Sequence, residues 1–388
     1  MNRTELEAVY ELLGQSFSVG RDYFQERLDF DSTYALSTTW VGLQQERITS
    51  TIQIFPLHCR IEDAVVKVGG IGSVATAAEA QGQGQGRKML ERLSGWMEQQ
   101  EYDLSLLFAV INPYYEKAGW ITLPEDMYEW DREVIEPSPP AGIDICPFEL
   151  SDIEDLREIY NQFNANRTST MIRPEAYWYD RLNWPKWKAS TCLVALRNGI
   201  PVAYGNISQA AADGTSNIEE LCYLDGAESA VIPLLQALLE QRPEAVRFIS
   251  FLPEDHYLSQ ALVSLGARKT AAGYMMWKLI RFQPLLVKLK DVLQSRWQKD
   301  KAYAGNSFHL ALECEGQSAY LHYEAGQIAI ESEPRSTQDY SRIVFTQLEL
   351  ITLLLRGYDA SVSENPADPV LQVLFPKQPS VFYSLDRF

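Results

Sequence analysis

One segment limits this chain more than any other. In GGIGSVATAAEAQGQGQGRKML, residues 69–90, an apolar strand-like run passes through a glycine-rich loop into an amphipathic helix marked by Met89, Leu90, Leu93, Trp96 and Met97. The loop reads Q-x-x-G-x-G, from Gln81 through Gly82, Gln83, Gly84 and Gln85 to Gly86, with Arg87 following. Glycine admits positive φ and lets a ligand approach the backbone closely. The first N–H groups of a helix are unpaired and lie at the positive end of its dipole. Together they make a cradle for a pyrophosphate. The same letters also fit a flexible glycine/glutamine loop with no ligand. A dinucleotide fingerprint needs G-x-G-x-x-G in a βαβ unit, whereas this loop follows three hairpin-type strands. A Walker loop is excluded because no Gly-Lys-Ser/Thr follows.

Around this segment the periodicity predicts the order α-α-β-β-β-α-β-α-β. A helix over 4–15 carries Leu6, Val9, Tyr10, Leu12 and Leu13 on one side, and another covers about 20–28. Hairpin turns are expected near 45–47 and 62–64. The helix at 84–99, the buried strand DLSLLFAV (103–110), a short helix at 113–118 and the strand WITL complete the series. IEPSPPAG (135–142) reads as a rigid, helix-hostile linker. A second, similar series follows without the glycine loop, opened by a capping box of Ser151 and Glu154. A third block from about 281 has the helix QPLLVKLKDVLQSRW, three short strands and a helix near 346–356. The expected fold is α+β in three domains, at 1–134, 143–280 and 281–388.

The 388 residues hold 34 Lys+Arg and 52 Asp+Glu, a formal net charge of -18. That balance argues against a nucleic-acid partner, whose affinity rests on neutralising phosphates. On charge alone it suits an ordinary acidic protein first, and it is compatible with a cationic ligand such as an amine. No run of about 18 apolar residues suggests a membrane span, and the acidic N-terminus does not read as a secretory signal. Cys59, Cys146, Cys192, Cys222 and Cys314 form no CxxC pair, which fits a reducing cytoplasm without a disulfide framework. His58, His256, His309 and His322 show no ligand spacing, so no metal is expected.

About 25 residues after the loop lies VINPYYEKAGW. The two motifs at this separation resemble the GCN5-related N-acetyltransferases, and the resemblance spans residues 1–125 in element order. It implies two tandem domains of that kind, with mixed, V-splayed sheets, the second one degenerate. It also implies that acetyl-CoA sits between two splayed strands. Its pyrophosphate would rest on the amides of Gly82 to Arg87, and its pantetheine arm would pair with the backbone of Val74 and Thr76. Tyr115 would protonate the departing thiolate, and Asn112 would touch the cofactor. Across the whole chain, two such domains and a sterol-carrier-like third are similar to the Eis-type (enhanced intracellular survival) acetyltransferases. SVATAAEAQGQG resembles their V-A-T-x-P-E-x-R-x-x-G stretch, with Ala78 in place of Pro and Gln81 in place of Arg. The resemblance implies a homo-oligomer as large as a hexamer, and a terminal carboxylate, here on Phe388, acting as base.

Elementary chemistry agrees with these roles. A terminal carboxyl ordinarily titrates at roughly pH 3.5 and is ionised at neutral pH; a phenol, titrating near 10, can give its proton to a thiolate. A backbone N–H near Val74 or Ala75, at a bulged strand end, can serve the thioester oxygen. Arg387, beside the proposed base, is expected to repel a densely cationic amine. Asp22, Glu26, Asp29 and Asp31 read either as an acceptor rim or as a solvated helix face. Three functions remain open: an acetyl-CoA-dependent N-acetyltransferase acting on a small-molecule or peptidyl amine, a lipid or apolar-ligand carrier, and a CoA-binding regulator without turnover.

Overall fold

The computed structural model describes residues 3–135, 142–336, 338–362 and 368–388. Helices α1 (Arg3–Ser16) and α2 (Arg21–Asp29) lead into the hairpin strands β1 (Thr39–Gln44), β2 (Arg47–Ile61) and β3 (Ala64–Thr76). Both turns fall where expected. Gln45 and Glu46 have φ of 50° and 63°, the left-handed pair that a two-residue hairpin needs, and Glu62 has φ 51°. After the glycine loop come α3 (Gln85–Gln99), β4 (Leu104–Phe108), α4 (Asn112–Glu116) and the two-residue β5 (Ile121–Thr122). Helix α1 buries Leu6, Val9, Tyr10, Leu12 and Leu13, and α3 buries Met89, Leu90, Leu93 and Met97 on the sheet.

The sheets do not follow the sequence boundary drawn between 134 and 143. β6 (Glu125–Asp131) lies in the second sheet, between the strands Arg268–Ala272 and Arg247–Ser250. In return, Met275–Leu279 enters the first sheet between β4 and β5, antiparallel to both. Thr168–Met171 also crosses over, pairing with β2. The first two blocks therefore exchange strands. Of the stretch read as a linker, 136–141 lies outside the described residues.

The second sheet continues through Thr215–Tyr223, Ile200–Ile207, Thr191–Arg197 and Ile143–Pro147. Its first long helix starts at Ile153, and the capping box uses Glu149 and Asp152, two residues earlier than the expected Ser151 and Glu154. The third block is a mixed four-stranded sheet. Phe308–Cys314 pairs with Gln317–Glu324 on one side and, in parallel, with Ser341–Phe345 on the other; Gln327–Glu331 forms the far edge. The long helix expected over 283–297 is two helices that meet at Leu289, Phe282–Lys288 and Lys290–Lys299.

Candidate active site

The parallel pair β3 and β4 creates the opening. Their pairing runs from Val68 opposite Leu104 to Ile71 opposite Leu107, after which β3 parts from β4 and continues to Thr76. A bulge sits at this point: Gln53 faces Gly72 but Thr51 faces Ala75, so β3 carries one extra residue, and Ser73 takes φ 51°. A cavity of about 980 Å³ fills the wedge. It is bounded by the β3 bulge, the glycine loop, the two tyrosines of α4, the α1–α2 region and residues 385–388.

Val74, Ala75, Thr76, Gln81, Gly82, Gly84, Gln85, Gly86, Arg87, Tyr115 and Phe388 all line this space. The loop's geometry explains its glycines. Gly82 and Gly84 both have φ 74°, and Gly84 caps α3 without any side chain, leaving the first N–H groups of the helix to a ligand or solvent. At Gly86 even a methyl group would strike the Tyr114 hydroxyl. Gln81 turns its amide to the Thr76 carbonyl (3.0 Å) and closes the loop on itself. Gln85 accepts from Thr49 (3.0 Å), and Arg87 pairs with Glu91 on its own helix (2.8 Å). These residues and the bulge suit a pyrophosphate and a pantetheine arm, because they offer unpaired backbone donors and no carboxylate.

Two assigned residues do not line the cavity. Gln83 is exposed and bonds to the Glu79 carbonyl (3.2 Å). Asn112 spends its amide on Thr122 Oγ1 and the Gly273 carbonyl, each at 2.7 Å, which ties α4 to the strands beside it. Asp22, Glu26, Asp29 and Asp31 are not at the cavity either; Glu26 pairs with Lys188 (2.9 Å) and Asp31 with Arg27 (2.7 Å).

Tyr115 stands edge-on to Tyr114, ring centroids 5.0 Å apart. Burial, and secondarily Tyr114, pushes its hydroxyl up to about 12. The Phe388 ring lies in the wedge between Phe55 (4.8 Å) and Phe108 (5.8 Å). Its seat is built by glycines: a Cβ at Gly70 would fall 2.7 Å from Phe388 Cε1, and one at Gly72 would fall 3.1 Å from Cδ2. Two glycines at i and i+2 in an apolar strand are the sequence sign of such a close approach, but no sequence pattern says what approaches.

The tail is held by buried charge. Asp386 accepts from Arg173 Nε (2.9 Å) and Nη2 (2.8 Å) and from the Tyr177 hydroxyl (2.6 Å), while Arg173 also grips Glu220. The three charged side chains have no exposed surface. Upstream, Thr168 and the tail exchange backbone hydrogen bonds, with Pro379 O (3.0 Å) and Val381 N (3.1 Å). Arg387 is not the free cation that its sequence position suggests. It pairs with buried Glu125 (2.7 Å), and burial pulls its guanidinium down against that carboxylate's opposing effect. Sequence reasoning also missed Phe17, Tyr23, Phe24, Arg27, Phe55, Trp184 and Lys186 on the cavity wall.

Residues 1–122 match the family model described as an acetyltransferase (GNAT) domain, which supports acyl transfer as the general activity. No curated protein sequence matches the chain. Solved structures share its whole fold. One is a conserved protein of unknown function, a probable N-acyltransferase, from Enterococcus faecalis V583, with 18% identity and a TM-score of 0.74 over 100% of this chain and 98% of that one. A GCN5-related N-acetyltransferase from Anabaena variabilis ATCC 29413 follows at 14% identity and 0.73, over 100% and 98%. Eis1 from Mycobacterium abscessus stands at 14% and 0.63, again over 100% and 98%. Likenesses at these identities speak to the fold. No described helix is long and apolar enough to cross a membrane.

Proposed function

We propose that the protein is an acetyl-CoA-dependent N-acetyltransferase that passes the acetyl group to a primary amine by direct attack in a ternary complex. The observation that carries this reading is the cavity that joins the glycine loop and bulged β3 to Tyr115 and Phe388. The amides of Gly82 to Arg87 hold the pyrophosphate, and the backbone of Val74 and Thr76 aligns the pantetheine arm. The bulge frees a backbone N–H at Val74 or Ala75 for the thioester oxygen. The terminal carboxylate of Phe388 takes a proton from the ammonium, and the free amine attacks the carbonyl carbon. The C–S bond breaks, Tyr115 gives its proton to the thiolate, and the second proton of the attacking nitrogen passes through water to the tyrosinate, which leaves a neutral amide, CoA thiol and the proton on Phe388 to be released to solvent. With its hydroxyl pushed up to about 12, Tyr115 stays protonated throughout the neutral range.

Thiol release from acetyl-CoA over a panel of amines tests the activity; no release above background removes the enzyme reading. Tyr115→Phe is expected to lower kcat about 100-fold or more, while calorimetry shows acetyl-CoA affinity unchanged. Extending the chain beyond Phe388 converts the carboxylate at that position into a peptide bond and is expected to abolish turnover. Full activity in the extended protein refutes the terminal-base role. The oligomeric part of the reading, a homo-oligomer as large as a hexamer, is checked by analytical ultracentrifugation. The carrier alternative draws on the sterol-carrier-like reading of the third block. Within the third block a cavity between Phe345, Leu353 and Tyr358 measures about 10 Å³, room for no more than a water molecule, while a polar one of about 650 Å³ lies between its first helix (Gln283, Val287, Lys288) and His58, Lys67 and Glu101 of the first block.

A further inference from the structure

The acceptor side of the cavity differs sharply from what the net charge of -18 suggests. Its walls are aromatic: Phe17, Tyr23, Phe24, Phe55 and Trp184 line it together with the Phe388 ring. The mouth stays apolar, with Phe17 39% and Val19 55% exposed. Three cations reach this wall, each with its carboxylate partner set behind it and off the cavity. Arg27 pairs with Asp31 (2.7 Å) while stacked 3.6 Å over Trp184, Lys186 pairs with Glu219 (3.5 Å), and Arg387 pairs with Glu125 (2.7 Å). Among the described residues, Asp386 is the one acidic side chain lining the space, and both its oxygens are already taken by Arg173 and Tyr177.

With the terminal-base role proposed for Phe388, a polycation entering this cavity would find one carboxylate to answer one ammonium. Its remaining charges would lose water without gaining a partner, which is costly. A single amine on a flat apolar body meets the opposite conditions. Its ring replaces water against aromatic faces, and its one charge lies at the reacting end.

We infer that the acceptor is an arylalkylamine, a primary amine with one positive charge on an aromatic body, and that polyamines and aminoglycosides are poor substrates. This rests on the acetyl-transfer reading, yet it has its own readout. The test measures thiol release by the full chain with tryptamine, 2-phenylethylamine, spermidine and kanamycin. The expected result is a kcat/KM for the aromatic amines at least about tenfold above those for spermidine and kanamycin. Equal or better turnover of either polycation overturns the inference and leaves acetyl transfer standing. Phe17→Glu, which places a carboxylate at the exposed mouth, is expected to shift the ratio toward spermidine; an unchanged ratio counts against the aromatic wall as the selector. Calorimetry on the CoA complex separates the two readings. Tryptamine binding without turnover, weakened by Phe17→Glu, keeps the acceptor assignment and removes the transfer reading. Tryptamine neither bound nor acetylated overturns the assignment.

Discussion

Gly70→Ala is expected to cut kcat about 100-fold, the usual consequence of moving a reacting group by an ångström. The added Cβ lands 2.7 Å from Phe388 Cε1, so the ring must leave its seat and take its carboxylate with it. The stability cost should be only that of overpacking, about 1–3 kcal/mol. Gly69→Ala is the control on the neighbouring position, because there the new Cβ meets the flexible Met97 side chain, 2.5 Å from its sulfur. Thermal melts of the two variants should resemble each other while steady-state thiol release separates them. Wild-type kcat in Gly70→Ala would show that the position of Phe388 does not matter.

The second large effect concerns the anchor. Asp386→Ala removes one carboxylate from the fully buried Arg173–Asp386–Glu220 cluster and strips the Tyr177 hydroxyl of its acceptor. Breaking a buried charge pair from one side costs about 3–5 kcal/mol. Because that cluster fixes the residue two places before Phe388, turnover should fall with stability. Denaturant unfolding and thiol release measure the two losses. Asp386→Asn, which keeps the shape and part of the hydrogen bonding, should recover some of each. An Asp386→Ala protein with unchanged unfolding and unchanged kcat would remove the anchor role.

The readable parts of this protein are the ones whose signals are local. Two-residue hairpins reveal themselves through turn residues, as at Gln45–Glu46 and Glu62. The amphipathic stripe of α3 and the glycine that opens it lie within one short stretch. Partnership across the chain leaves no such mark. The apolar run in Met275–Leu279 reports that the strand is buried, not that it belongs beside β4. Arg173 and Asp386 are isolated charges in sequence and become an anchor only in the fold. Asn112 has the right motif around it, yet its amide is used by Thr122 and Gly273. The acceptor wall is equally non-local, since Trp184 and Lys186 come from the second block to face Phe55 and Phe388 from the first and third. Charge misled in the same way: Arg387 reads as a bare cation until Glu125 is found beside it.

The exchanged strand also bears on how the protein is made. A nascent chain that has emerged through β4 holds one edge of its first sheet unpaired until Met275–Leu279 follows. At ordinary ribosomal rates that wait is on the order of ten seconds. An apolar edge open for so long is a template for wrong pairing. A fragment cut anywhere before Met275 keeps that edge for good, so the unit to express and manipulate is the intact polypeptide.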